Sequence, residues 1–230
     1  MSGWAVSCCC WGCSPGPSGR RTSVTSSLSR LLTLLLLLAG LQQWGSALLI
    51  HGKAQLASLL LERAWRQSLA QGGAAVKPWP WADTWPVVRL EVPALGESHL
   101  VLAGDSGNAL AFGPGHLRAS AMPGTGGTTV ISGHRDTHFH FLGKLRSGQR
   151  INVQLASGRS VAYRVAATDI VDASRGGIVA GREVELLLLV TCYPFDALVS
   201  GGPLRFRVMA VPEREPVLSP LPVPVGRLEL

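Results

Sequence analysis

At 230 residues, with few charged side chains but 27 Gly and 15 Pro, the chain is long enough for a sizeable core and poorly suited to a helical bundle. The net charge of +7 is not gathered into a Lys/Arg block with interleaved aromatics, which speaks against nucleic acid as the partner. The placement of charge is more informative: Arg20, Arg21 and Arg30 precede residue 31 with no acid among them, and the first acidic residue is Glu62.

Residues 1–30 are rich in Ser, Gly, Pro and Cys without an apolar period, and are predicted to be a disordered cytoplasmic tail. Cys8, Cys9, Cys10 and Cys13 cluster there with no histidine and no second cysteine pair at finger spacing. Neither a metal site nor acylation is assigned to them. Residues 31–50, LLTLLLLLAGLQQWGSALLI, carry no charge and are long enough to cross a hydrocarbon core of about 30 Å. Arginines lie only before the run, so the positive-inside rule leaves the N-terminus in the cytoplasm and exports everything beyond. The rival reading is a cleaved signal peptide ending near Gly45-Ser46-Ala47. An uncleaved anchor is preferred, because the apolar pattern continues past that point.

Residues 51–71 continue as a helix: Leu56, Leu59, Leu60, Ala64 and Trp65 recur at three and four residues until Gly72-Gly73 stops them. Such a helix lies on a membrane or packs on the domain, and packing is preferred. The KPWPWADTWP stretch (residues 77–86) is a stiff extended linker whose Trp79, Trp81 and Trp85 are expected to clamp it to the domain. Strand signals then take over: residues 87–92, 99–102, 128–133, 149–155, 160–168, 183–191 and 204–211, with a short helix at 106–112 and a turn at 113–116. Seven or eight short strands with little helix predict an antiparallel barrel or sandwich over residues 84–212. The proline-rich stretch 213–230 is predicted to be disordered.

Cys192 is the only cysteine beyond Cys13, so it has no disulfide partner in its own domain. It ends a continuous apolar run, LLLLVT (residues 186–191), of the kind covered on both faces, and Tyr193-Pro194 then turns the chain away. His134 follows a strand, and Arg205 opens the last one. A thiol with an ordinary pKa near 8.5 is mostly protonated at neutral pH and needs a base or ion-pair partner to act as a nucleophile. Histidine is the usual partner, and an arginine supplies fixed positive charge for the oxyanion of acyl transfer. The bland alternative is a cysteine that is merely packed.

The strings ISGHRDTHFHFL (131–142), LLLVTCYPF (187–195), GPLRFRVMA (202–210) and FGPGH (112–116), with the anchor and the Pro/Trp linker, resemble sortases. The resemblance is strongest to the class found in Gram-negative bacteria, related to classes D and E, and runs from about residue 84 to residue 211. It implies a closed eight-stranded β-barrel and a cysteine transpeptidase facing the periplasm from the inner membrane. Cys192 would be the nucleophile, His134 the general acid, and Arg205 the holder of the substrate carbonyl. The partners implied are a secreted protein with a C-terminal sorting signal and an amine acceptor on the cell envelope, with no metal or organic cofactor. Some sortases are activated by calcium, but no acidic cluster here supports it.

Arg207 shares a strand face with Arg205 and stays open as the alternative, with Arg205 preferred. Thr191 is a candidate for hydrogen-bonding substrate. Asp136 either orients His134 or holds its loop. The H-x3-H-x-H string of His134, His138 and His140 is not read as a zinc site, and His116 is taken as structural. Residues 171–182 and 194–202 are expected to be loops that set substrate choice. Outside transpeptidation, a peptide hydrolase and a non-catalytic peptide-binding barrel remain; a papain-like order is disfavoured, because His134 precedes Cys192.

Overall fold

The computed structural model describes residues 22–176, 184–197 and 201–213, with side chains from residue 28 onward. The chain divides into two compact units, Met1–Gly52 and Lys53–Leu230. The first is described by the opening part of helix α1 (Thr22–Ala70). Helix α1 is described from Thr22, inside the stretch predicted to be a tail. Among the described residues, α1 is the one helix long and apolar enough to cross a membrane, and its leucines from Leu31 to Leu49 are exposed. Hydroxyls within that stretch are satisfied locally: Thr33 donates to the Ser29 carbonyl at 2.9 Å and Ser46 to that of Gln42 at 3.0 Å.

In the second unit, the last turns of α1 pack on the barrel, as preferred above. Leu61 joins Leu102 and Ala109 in an apolar cluster, and Trp65 is 1% exposed. Glu62 accepts both hydrogen bonds of the Arg89 guanidinium at 2.7 and 2.8 Å, and Arg89 lies 5.8 Å from the centre of the Trp65 ring. The helix ends where Gly72 and Gly73 take positive φ (67° and 101°) and Gly73 donates to the Ser68 carbonyl. The linker is clamped through two of its three tryptophans. Trp79 meets Phe112 edge-on at 5.3 Å and Trp85 lies under Arg118, whereas Trp81 is 82% exposed.

Eight strands follow: β1 (Pro86–Val92), β2 (Glu97–Ala103), β3 (Gly115–His116), β4 (Thr128–Ser132), β5 (Arg150–Leu155), β6 (Ser160–Asp172), β7 (Leu186–Cys192) and β8 (Leu204–Pro212). A one-turn helix, α2 (Gly107–Leu110), and two short 3-10 helices (Pro93–Leu95 and His140–Lys144) sit between them. The strands close in the order β1-β2-β3-β4-β7-β8-β6-β5, with β5 pairing back to β1. The predicted closed eight-stranded barrel is therefore present, with two corrections. The expected turn at 113–116 contains β3, and the barrel is not wholly antiparallel: β2 pairs parallel with β3, and β4 parallel with β7.

Alternation fixes the inside. Val88, Leu90 and Val92 of β1 meet Ile131, Ile151, Val153, Leu187, Leu189, Val208 and Ala210 in one buried core. The outward residues of β4 and β7 are apolar too: Val130, Leu188 and Val190 form a second cluster with Leu117 and Met209. Both faces of β7 are thus covered, which is why it reads as an unbroken apolar run.

Glu213, assigned from sequence to the tail, instead continues the barrel edge. Its N–H donates to the Ala162 carbonyl, and its carboxylate is paired with Arg164 and Arg150. Those arginines hold the carboxyl below its ordinary pKa. A carboxyl that is more acidic when folded adds stability above its unfolded pKa, and that contribution is lost as pH falls through the folded value. The melting temperature of Glu213→Gln should accordingly fall less than wild type between neutral and acidic pH; an identical fall would show the pairing to be thermodynamically silent. In a chain beginning at Lys53, Trp65→Ala should cost about 3–5 kcal/mol in urea unfolding. Unchanged stability would mean that the helix is not docked on the barrel.

Candidate active site

The site grows out of one end of β7. Parallel pairing with β4 runs from Thr128↔Leu186 to Ser132↔Val190. It continues past the strand: the Gly133 N–H donates to the Val190 carbonyl at 3.1 Å, and the Thr191 hydroxyl donates to the Gly133 carbonyl at 2.8 Å. The same register carried on brings His134 level with Cys192. On the other side of β7, Cys192 pairs with Arg205 of β8. Cys192 is thus paired with Arg205 on β8, and His134 follows the last β4–β7 hydrogen bond at the same barrel end.

Side-chain direction follows from alternation. Leu187 and Leu189 of β7, and Val208 and Ala210 of β8, point into the core. Cys192 and Arg205 fall on the opposite, outward set, in line with Leu188 and Val190. Cys192 is a free, half-buried thiol, Arg205 is half-buried and His134 is exposed. Arg205 and Arg207 line an outward groove of about 540 Å³ with Val130, Ser132, Val171 and Val190; Cys192 and His134 are not among its lining residues.

The two arginines differ because of what stands opposite on β6. Arg207 pairs with Asp169, Arg205 with Val171. Arg207 donates to both Asp169 carboxylate oxygens, at 2.9 and 2.5 Å, and this pairing raises its guanidinium pKa further above the ordinary value. Arg205 has no acidic partner among the described residues. It donates to the carbonyls of Gly202 and Leu204 at 2.6 and 2.9 Å.

Thr191, predicted to bond substrate, is 2% exposed on the inward side, and its hydroxyl is engaged by Gly133. Successive residues of β7 face opposite ways, so Thr191 and Cys192 lie on opposite faces of the strand. Asp136 accepts from Arg135 Nε at 2.6 Å and Nη2 at 3.0 Å, and that arginine holds its carboxyl below the usual range. These hydrogen bonds hold the loop that follows His134. The histidines of the H-x3-H-x-H string diverge. His138 meets His99 edge-on at 6.3 Å, with burial lowering its pKa, and His140 meets Phe195. Among the described residues no group of three or more His, Cys, Asp or Glu is placed to hold a metal ion. His116 is buried on β3, its Nε2 within 3.0 Å of the Ala121 carbonyl. The strand β6 runs on to Asp172, so the loop expected from residue 171 starts after it; residues 177–183 and 198–200 lie outside the described residues.

Sequence reasoning passed over Arg135. It is 6% exposed, and its Nη1 and Nη2 donate to the carbonyls of Pro194 and Ala197 at 2.6 and 2.9 Å. The only sequence signal was its place between His134 and Asp136. Also unforeseen was the ring cluster beyond Cys192, in which Phe195 and Tyr193 both contact Phe206 at 5.1 and 6.3 Å.

A sortase-domain family model matches residues 90–213, more than half of the chain. Sortase D of Bacillus subtilis (strain 168) is 36% identical over 118 residues, 51% of this chain; the chain spans 59% of that protein's length. Among solved structures, a Clostridium perfringens sortase D5 transpeptidase superposes with a TM-score of 0.55, covering 70% of this chain and 99% of that one at 18% identity. Sortase A from Corynebacterium diphtheriae gives 0.51 over 70% and 86%, at 22% identity. Identities this low speak for the fold, and the fold they share is the closed barrel described above. The family match from residue 90 within β1 to Glu213 covers more than half of the chain and makes it a member of the sortase family.

Proposed function

We propose that the protein is a membrane-anchored cysteine transpeptidase. It cleaves the C-terminal sorting signal of a secreted protein and passes the acyl part to an amine on the cell envelope. What supports this reading is the pairing of Cys192 with Arg205, together with the parallel β4–β7 ladder that leads into His134 at the same barrel end. Similarity to proteins known as sortase D and as a sortase D5 transpeptidase supports it. The α1 helix would be the anchor, with the arginines before it in the cytoplasm and the barrel in the periplasm beyond the inner membrane.

In this reading the Cys192 thiolate attacks the scissile carbonyl carbon, and its oxygen becomes an oxyanion. Arg205 donates to that oxygen; its present bonds are to carbonyls, neutral acceptors that a charged oxygen can outcompete. As the C–N bond breaks, the His134 imidazolium protonates the leaving amine, and a thioester remains on Cys192. An incoming amine then attacks the thioester, gives a proton to His134 and expels the thiolate. One amide is exchanged for another, and the enzyme returns to its starting charge state without a cofactor.

The groove floor of Val130 and Val190 suits an apolar residue of the sorting signal, positioned by burial. Arg207 is held by Asp169 and serves the groove wall. Arg205→Ala should lower kcat for exchange of a sorting-signal peptide with an amine by about 100-fold or more. Arg207→Ala should act mainly on stability, since it leaves Asp169 unpaired. The reverse ranking in kcat would reassign the oxyanion role to Arg207. Cys192→Ala should abolish exchange; retained turnover would end the nucleophile assignment.

A further inference from the structure

His134 and Cys192 both sit where their ladders stop. His134 lies beyond the last β4 hydrogen bond, that of Gly133, and Cys192 is the last residue of β7. A thiolate–imidazolium pair forms only if ring and sulfur are held within hydrogen-bond reach. Something past the ends of the strands must set that separation.

Arg135 lies directly after His134, and its head group is almost fully buried. A buried cation persists only when its donors are met. Two of its bonds go to the neighbouring Asp136, and two cross to the carbonyls of Pro194 and Ala197, two and five residues beyond Cys192. The receiving segment is seated independently: Phe195 packs on Phe206, and a Cβ at Gly143 would come within 3.2 Å of its ring. The charged or titratable groups acting on Arg135 are Asp136, Cys192 and Asp196, while Asp136 also feels His140 and His134. The Arg135–Asp136 pair is close to neutral as a unit, so its effect on the thiol is chiefly one of placement.

We propose that Arg135 is a positioning residue for the transfer reaction: its guanidinium bonds the backbone beyond Cys192 from the position beside His134, and so fixes the spacing of the two. This rests on the reading of Cys192 and His134 as the reacting pair. A lysine cannot replace it, because a single ammonium lacks the fork that reaches two carbonyls and a carboxylate together.

The test follows alkylation of Cys192 by iodoacetamide across pH in the full chain, read on the Cys192 peptide by mass spectrometry. Arg135→Met/Asp136→Asn removes the pair without changing net charge. The alkylation midpoint should rise, because a thiol held away from its ion-pair partner ionises less readily. Arg135→Lys, which keeps the cation but not the fork, should shift it in the same direction and carries the test if the double variant does not fold. Arg159 is the control: it donates to the carbonyls of Pro123 and Gly124, away from the site. Arg159→Met should lower the melting temperature and leave the midpoint alone. A wild-type midpoint in both Arg135 variants, or an equal shift in Arg159→Met, overturns the proposal. His134→Ala separates the two levels of inference. It should raise the midpoint; if it does not, the reacting pair itself is wrong, whereas a shift in His134→Ala without one in the Arg135 variants defeats only the role of Arg135.

Discussion

The parallel pairing of β4 with β7 is the constraint on which the rest depends. It sets two chain segments side by side in the same direction, so that both leave the sheet at the same end. Two apolar faces stabilise it, the barrel core through Ile131, Leu187 and Leu189 and the outer cluster through Val130, Leu188 and Val190. Gly133 lets the pairing run one residue further, since a Cβ there would come within 2.8 Å of the Phe139 ring. The bonds from Gly133 to Val190 and from Thr191 to Gly133 finish the ladder just before the residues that carry the chemistry.

That arrangement separates rigidity from reactivity. β4 and β7 are largely buried and paired, while His134 lies past the last β4–β7 hydrogen bond and Cys192 is the last residue of β7, paired there with Arg205. Antiparallel β8 then adds Arg205 on the far side of Cys192, and β6 decides which arginine is left without a carboxylate by presenting Val171 to one and Asp169 to the other. A single side-chain difference on β6 thus distinguishes a structural ion pair from a cation whose present bonds are only to backbone carbonyls.

Much of this could be read from local pattern. The apolar run before Cys192 announced a strand covered on both faces, the alternation at 87–92 announced a half-buried one, and the loss of charge at 31–50 announced a membrane-length helix. What could not be read depends on partners distant in sequence. The direction of the β4–β7 pairing joins residues 58 positions apart, and β3 is too short to show a period. The burial of Arg135 is set by carbonyls 59 and 62 residues away, and an arginine in a string of polar residues looks exposed. Thr191, whose place beside Cys192 suggested a shared role, lies on the opposite face of the strand by alternation. Glu213 seemed to belong to the proline-rich tail by composition, yet two arginines of β5 and β6 hold it to the barrel.

The central claim is that Cys192 forms a thioester with the carbonyl of a sorting signal, with His134 as its proton partner. Intact-mass analysis of the full chain, mixed with a panel of sorting-signal peptides in the absence of an amine, tests it most directly. The account predicts a mass increase equal to the acyl part of one peptide, mapped to Cys192, removed by hydroxylamine and absent from His134→Ala. An adduct on another residue, or the same adduct and rate in His134→Ala, would contradict it.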